Sequence, residues 1–383
     1  MQPIPSFTLS QDFGRNHDNA YTLPANYYTS EAVFEYEKEH IFAHAWLCLC
    51  HTSELAEINA YVTRRIVGEN LVALRDREGT LRAFYNVCPH RGHELLKGSG
   101  VARNTISCPY HAWTFKLDGE LAFARNCENV EHFNKADYGL TPLRVAEYAG
   151  FVFVNMDMDA PPIEQALAGL DAHLKSVCPN VERLQVASRT ITDTPANWKV
   201  IVDNYMECYH CAPAHPGFSS SVDTRGYTHT FHGNWTLQHG PGQSSERGYS
   251  FDTQVRNRAF SGYWVWPCVM FNVVPGDDTM TVIYEYPVSA GLTVQYYEVL
   301  MKSKDVTPEQ RDFITWATQT FRPEDLSLVE SVQRGLQSRG YRGQGRIMVD
   351  AERSGISEHG IAYFHRKVAD YYEQQAGKSD ERA

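Results

Sequence analysis

The sequence predicts an α+β protein of two domains: a small antiparallel β domain, then a larger part that mixes helices with aromatic-rich sheet. Three observations carry this. Between Ala60 and Met156, short strand-like runs are separated by turn residues. Two compact Cys/His loops interrupt those runs. Two later stretches, 225–240 and 262–301, are rich in Tyr, Trp, Phe and Val, the residues that fit a pleated, half-buried surface. At 383 residues with 43% hydrophobic content, the chain can fill two ordinary cores.

The elements follow in order. A helix is predicted over Thr29 to Phe42, with Thr29 or Ser30 as N-cap and Glu31 in the first turn. Strands are predicted at Val62 to Ile66, Leu71 to Arg75 and Leu81 to Val87, with a turn at Asp76-Arg-Glu-Gly79. Asp118-Gly119 is the turn of a further hairpin, and Phe151 to Met156 is another strand. Trp198 to Cys211 reads as one helix, stopped by Pro213 and Pro216. Thr307-Pro-Glu-Gln310 has the capping-box pattern with Pro at the first helical position, opening a helix to about Phe321. Pro323 then starts another through Leu336.

Composition narrows the function. The net charge of −11 is spread out with no Lys/Arg run, so neither nucleic acid nor an anionic membrane is expected as a partner. No apolar stretch approaches transmembrane length, and the N-terminus lacks a basic region followed by an apolar one. A cytoplasmic location is expected. Nine cysteines is an odd number, and Cys48, Cys50, Cys127, Cys178 and Cys268 read as small hydrophobes in reduced protein.

The chemistry begins at Cys88-Pro-His90 and Cys108-Pro-Tyr-His111, within "NVCPHRGHELLKGSG" and "ISCPYHAWTF". Cys88, His90, Cys108 and His111 suit a 2Fe–2S cluster of the Rieske kind, in which a Cys pair holds one iron and a His pair the other. Neutral imidazoles in place of two thiolates raise the reduction potential, which suits an electron relay. The competing reading is a structural zinc, but zinc fingers group two Cys and then two His, whereas each half here pairs one of each.

A second site is predicted in "VDNYMECYHCAPAHPGF". Projected on a helix, Val200, Asp203, Glu207, His210 and Cys211 share one side. Such a strip is ordinarily a solvated face, but it carries carboxylates and imidazole rather than Lys or Arg. His210 and His215 need a third ligand, and an iron that handles O2 prefers a carboxylate beside two His. Asp325 is the candidate, at the head of an apolar stripe made by Leu328, Val329, Val332 and Leu336. Its competing role is a salt bridge to a buried Arg. Glu324 and Glu330 read as solvated. Cys208 and Cys211 form a C-x-x-C, but at a helix end rather than a helix start, and read as packing residues. The short Gly motifs Gly98-Ser-Gly100 and Gly343-Gln-Gly345 give no dinucleotide fingerprint, so no nicotinamide site is expected in this chain.

Cys88/His90/Cys108/His111, then Glu207-x-x-His210-x4-His215, then Asp325, in that order, resemble the oxygenase subunits of Rieske non-haem iron oxygenases. The stretches "FYNVCPHRGHELL", "CPYHAWTFKLDG", "TPANWKVIVDNY", "FRPEDLSLVESVQRGL" and "SRGYRGQGRIM" are similar to the carnitine monooxygenases of that family. The resemblance implies a helical segment at 1–44 that packs on the catalytic domain, a Rieske β domain at 45–155 and a helix-grip catalytic domain at 156–383. It also implies a homotrimer in which the cluster of one subunit passes an electron to a neighbour's iron through a bridging carboxylate. Glu207 stands where most members carry Asp. Further implications are a mononuclear Fe(II), O2 as cosubstrate and NADH electrons delivered by a separate flavin and iron–sulfur reductase. The substrate would be a quaternary amine, hydroxylated next to its nitrogen so that trimethylamine leaves.

A trimethylammonium group calls for an aromatic cage. Tyr205, Trp264, Trp266, Phe271 and Tyr297 are candidates by position, although core packing is the commoner role for each taken alone. Alternatives are another betaine or quaternary amine (γ-butyrobetaine, choline, glycine betaine), hydroxylation of an aromatic ring, and a Rieske electron carrier without catalysis. Such carriers are shorter and lack the second ligand set.

Overall fold

The structure is a computed structural model describing residues 9–10, 12–243, 257–276, 278–350 and 352–380. The expected N-terminal segment is therefore described from Leu9 onward, Gln11 apart, and its first eight residues lie outside the described ones. Contacts divide the chain into two compact units. One comprises Ala43–Lys175 with Asn180–Val186, and the other holds the rest of the chain.

Helices α1 (Asn26–Thr29) and α2 (Glu31–His40) come first. Ser30 is the N-cap of α2, with Glu31 in its first turn, but its side chain makes no capping bond. Helix α2 buries Val33, Phe34 and Glu37.

The β unit contains β1 (Leu47–His51), β2 (Ala60–Ile66), β3 (Glu69–Arg75), β4 (Leu81–Tyr85), β5 (Ser99–Val101), β6 (Thr105–Ser107), β7 (Thr114–Lys116), β8 (Leu121–Phe123), β9 (Arg144–Tyr148) and β10 (Phe151–Asn155). They form three sheets, in the orders β1-β10-β9, β4-β3-β2-β5 and β6-β7-β8. The predicted turns appear where turn chemistry demands them. Asp76 Oδ1 accepts from the backbone N–H groups of Glu78 (3.1 Å) and Thr80 (2.8 Å), and Gly79 takes φ +78°. The core beneath the two Cys/His loops is built from Phe84, Trp113, Phe115 and Leu117. Helices α3 (Ile163–Ala166) and α4 (Leu170–Val177) follow β10. Residues 156–175 pack with this β unit, twenty residues past the expected boundary at 155. The cause is side-chain anchoring: Tyr148 Oη donates to Leu167 O (2.9 Å) and Trp46 Nε1 to Pro161 O (3.0 Å).

The second unit is organised on a seven-stranded sheet. Its strands are β11 (Gln185–Thr194), β12 (Thr228–Phe231), β13 (Trp235–Pro241), β14 (Ala259–Val265), β15 (Val269–Val273), β16 (Met280–Ser289) and β17 (Leu292–Met301). The order is β11-β17-β16-β15-β14-β13-β12. Helices α5 (Trp198–Tyr205), α6 (Cys211–Ala214), α7 (Pro216–Ser221), α8 (Pro308–Trp316), α9 (Arg322–Leu336) and α10 (His359–Asp380) accompany it. The capping box at Thr307 and Gln310 forms as predicted. Helix α8 runs into α9 through a π-helical turn at Ala317–Phe321. No helix among the described residues is long and apolar enough to cross a membrane.

The helix predicted over Trp198 to Cys211 ends six residues early, at Tyr205. Gln238 Nε2 donates to Tyr205 O at 2.6 Å and occupies a carbonyl that a continuing helix would use. Glu207 Oε2 then accepts from His210 N–H at 3.0 Å, closing a turn instead. The projected polar strip consequently splits. Asp203 stays on α5 and binds Tyr28 Oη (2.7 Å) and His365 Nε2 (2.8 Å), while Glu207 and His210 turn elsewhere.

Candidate active site and cluster site

The two Cys/His loops share one backbone plan. Cys88 N–H donates to His93 O (2.8 Å) and Gly92 N–H to Cys88 O (2.9 Å). Cys108 N–H donates to Trp113 O (2.7 Å) and Ala112 N–H to Cys108 O (3.0 Å). Four residues after each Cys the chain turns left-handed, at Gly92 (φ +72°) and Ala112 (φ +58°). Both thiols are buried and free. Burial raises the Cys88 pKa, and the neighbouring Cys108 thiol adds to the rise. The His90 and His111 rings lie 4.7 Å apart, and His90 stacks on Trp113 at 4.6 Å. His111 Nδ1 is buried with no hydrogen-bond partner. Two buried free thiols beside an imidazole with an unused nitrogen fit a mixed Cys/His cluster.

In the second unit, His210, His215 and Asp325 present ligand atoms that all lie within 4.8 Å of one another. His215 Nε2 is 2.9 Å from Asp325 Oδ1, and His210 Nε2 is 3.7 Å from the same oxygen. The other nitrogen of each ring is held by a carboxylate: His210 Nδ1 by Glu207, and His215 Nδ1 by Glu324 at 2.7 Å. This is the outer-shell arrangement that fixes a metal-binding imidazole with Nε2 facing inward. Burial alone would raise Asp325, but the hydrogen bond from His215 and the charges of His215, Arg322 and His210 hold its carboxyl below the usual range. Burial alone would likewise lower His215, and the two carboxylates outweigh it to raise the imidazole. Two imidazoles and one carboxylate closing on one point fit an open-sided iron site.

The structure corrects several sequence expectations. Glu324 is not a solvated acid, because it orients His215. The apolar stripe of α9 is only half buried: Val329 and Leu336 are inside, while Leu328 and Val332 are exposed. The buried Arg considered as a partner for Asp325 exists as Arg322, with Nη1 3.9 Å from Asp325 Oδ2, beside the His pair rather than instead of it. Cys208 and Cys211 are not separate packing residues. They are joined by a disulfide that ties the turn after α5 to the first residue of α6, where their Cα atoms lie 4.9 Å apart, within bridging range.

A cavity opens beside the three converging side chains. Strand alternation decides which sheet residues reach it. Gln238, Met270, Asn272, Thr281, Ile283 and Glu285 line it, and Tyr297 does so from β17. Of the five predicted cage residues, Tyr205 and Tyr297 line the cavity. Phe271 does not: one residue from Met270 and Asn272, it falls on the opposite sheet face, paired with Tyr263. Trp264 and Trp266 pack instead against Phe364 of α10, with Trp266 stacked on Tyr371. The remaining aromatic lining comes from Phe218, Tyr227, Phe260, Phe313, Trp316 and Phe321. A helical signal was available for two of these, because Phe218 is three residues after His215 and Phe321 four before Asp325. Phe321 packs 4.8 Å from the His215 ring.

Residues 45–134 match the Rieske 2Fe–2S domain family, and residues 181–374 match the Ring hydroxylating alpha subunit (catalytic domain) family. The chain is 59% identical over 365 residues to the carnitine monooxygenase oxygenase subunit of Acinetobacter baumannii, covering 95% of this chain and 98% of that protein. It superimposes with a TM-score of 0.91 on a quaternary ammonium Rieske monooxygenase studied for carnitine oxidation and inter-subunit electron transfer. That structure is 58% identical, and the match covers 96% of this chain and 100% of the other. A second such structure, in complex with L-carnitine, gives a TM-score of 0.88 at 57% identity, covering 96% and 99% of the two chains. This protein therefore belongs to the Rieske non-haem iron oxygenases, and its cofactors are a Rieske 2Fe–2S cluster and a mononuclear iron.

Proposed function

We propose that this chain is the oxygenase component of a two-component monooxygenase that hydroxylates carnitine at the carbon next to its quaternary nitrogen, giving trimethylamine and malic semialdehyde. O2 is the cosubstrate, and NADH electrons arrive through a separate flavin and iron–sulfur reductase. The observation that carries the substrate is the near full-length likeness to carnitine monooxygenase oxygenase subunits. The cavity suits that substrate chemically, because aromatic walls and the carboxylates Glu207 and Asp325 favour a cation.

Cys88, His90, Cys108 and His111 would hold the cluster, and His210, His215 and Asp325 would hold the mononuclear iron. When bound, these centres supply electron storage and the activation of O2. The chain's own residues do the rest. Glu207 and Glu324 fix the two imidazoles. Tyr205 and Tyr297, with Phe218 and Phe321, wall the cavity against water and set the onium group beside the triad. In the hydroxylated product the hydroxyl proton leaves, the C–N bond electrons pass to nitrogen, and trimethylamine departs from the new aldehyde carbon.

Glu207 also bridges electron transfer between subunits of a homotrimer. It lines both the substrate cavity and a second cavity on its other side, formed with Leu328, Val332 and Glu358. We place the protein in the cytoplasm: seven cysteines among the described residues are free, against the one Cys208–Cys211 disulfide. The test is a substrate screen with purified protein and reductase, measuring trimethylamine release and NADH use with carnitine, γ-butyrobetaine, choline and glycine betaine. Release from carnitine with the highest kcat/KM is expected, and no release from carnitine would overturn the assignment.

A further inference from the structure

We infer that Arg322 anchors the carboxylate end of the substrate. This inference rests on the quaternary-amine reading of the cavity and adds the second pole of recognition. Arg322 is the first residue of α9 and is 8% exposed. It is the one Lys or Arg among the described residues that line the cavity. Its Nη2 is buried and has no hydrogen-bond partner.

A guanidinium carries five donors and cannot shed its charge, so a buried unpaired nitrogen is costly unless something supplies an acceptor. No neighbouring acceptor lies within hydrogen-bond reach of Nη2. Asp325 Oδ2 lies 3.9 Å from Nη1, beyond hydrogen-bond reach, and Asp325 Oδ1 is engaged by His215. Glu285 faces the same cavity with Oε2 unpartnered and its other oxygen accepting from Gln295 Nε2 at 2.6 Å; the Arg322 charge acts on it without a hydrogen bond, opposing the burial that raises its pKa to about 7. Tyr297 offers only its ring, with the Arg322 Cζ 5.9 Å from the centroid.

The charge pattern of the cavity then sorts the two ends of a zwitterion. The carboxylates Glu207 and Asp325 and the aromatic walls attract an onium group, while burial, which raises the Glu285 pKa to about 7, removes part of the charge of Glu285. The planar fork of Arg322 matches a carboxylate bidentately, and in this lining only Arg322 offers that match. Holding the substrate at both poles fixes which carbon faces the triad. The occupant this chemistry selects is a trimethylammonium carboxylate, in preference to an onium alcohol or a neutral amide.

The test is binding by calorimetry to the iron-loaded protein, comparing L-carnitine with its carboxamide, which keeps the onium group and the shape but loses the negative charge. Wild type is expected to bind carnitine at least about 30-fold more tightly than the amide. Arg322→Gln should bring the two affinities within about threefold of each other, and Arg322→Lys, a point charge without the fork, should fall between. In turnover, Arg322→Gln should lose carnitine and γ-butyrobetaine far more than choline. Iron content and circular dichroism are measured alongside.

Equal wild-type affinity for acid and amide overturns the anchor, and this comparison stands even if the Gln variant fails to fold. Discrimination that survives Arg322→Gln overturns it too, as does a loss shared equally by carnitine and choline, which would mean that Arg322 acts through Asp325. A wild type that binds no quaternary amine sinks the substrate reading itself, a result distinct from all of these.

Discussion

Removing the Glu324 carboxylate tests whether the iron site depends on its outer shell. Glu324 accepts from His215 Nδ1 at 2.7 Å and is the contact that fixes the ring with Nε2 toward Asp325. Loss of such a partner costs about 10–100-fold in metal affinity, or about 1.4–2.7 kcal/mol. The Glu324 side chain is 31% exposed, so water can replace part of the bond, and the lower half of that range applies, about 10–30-fold. Glu324→Ala should therefore bind Fe(II) about 10–30-fold more weakly in competition with a chelator. Glu324→Gln keeps an acceptor oxygen and should lose less. The Rieske absorbance in the same sample serves as an internal reference, because the cluster loops belong to the other compact unit. Iron affinity within twofold of wild type in Glu324→Ala would refute the outer-shell role. Parallel loss of cluster and iron would point to misfolding instead.

Other outcomes follow from neighbouring contacts. Glu207→Gln should keep both cofactors yet slow oxidation of the reduced cluster in a single turnover with substrate and O2; an unchanged rate would remove the bridge role. Lys199 and Glu37 are both fully buried and joined at 2.7 Å, with Trp198 Nε1 and Tyr372 Oη also donating to Glu37. Lys199→Met leaves an uncompensated carboxylate and should destabilise the fold by about 3–5 kcal/mol in denaturant unfolding, with partial recovery in the double variant that adds Glu37→Gln. His229 has its pKa lowered to about 3 by burial and, less, by His359. Its unfolded form takes up a proton near pH 6.5 while its folded form does not, so this stability is complete above 6.5 and is lost as pH falls toward 3. At pH 5 the loss is about 2 kcal/mol, and His229→Gln should flatten the thermal-stability profile between pH 6.5 and 5; superimposable profiles would contradict it.

The proposed metal ligands were legible because their chemistry is local. Cys-Pro-His and Cys-Pro-Tyr-His carry their donors within one turn of chain. A carboxylate such as Asp325 at the head of an apolar helix stripe is costly unless it is paired or metal-bound, which singles it out. The cage was less legible. Tyr205 and Tyr297 reach the cavity, but Phe271 does not, because a strand sends alternate side chains to opposite faces and composition cannot say which face is inward. The helix through Cys211 failed for a similar reason: the acceptor that ends it, Tyr205 O, is taken by Gln238, which lies 33 residues away on β13.

Taken alone, the sequence determined the two kinds of centre, the order of their proposed donors, the strand-rich β unit and the capping box of α8, all set by short-range spacing and turn chemistry. Only the tertiary structure decided which carboxylates hold the imidazoles, which aromatics wall the cavity, that Cys208 and Cys211 are bonded, and that a guanidinium with one unpartnered nitrogen faces the site. Those outcomes depend on groups far apart in sequence meeting in a low-dielectric interior, where each polar atom must find a partner or bear the cost of desolvation.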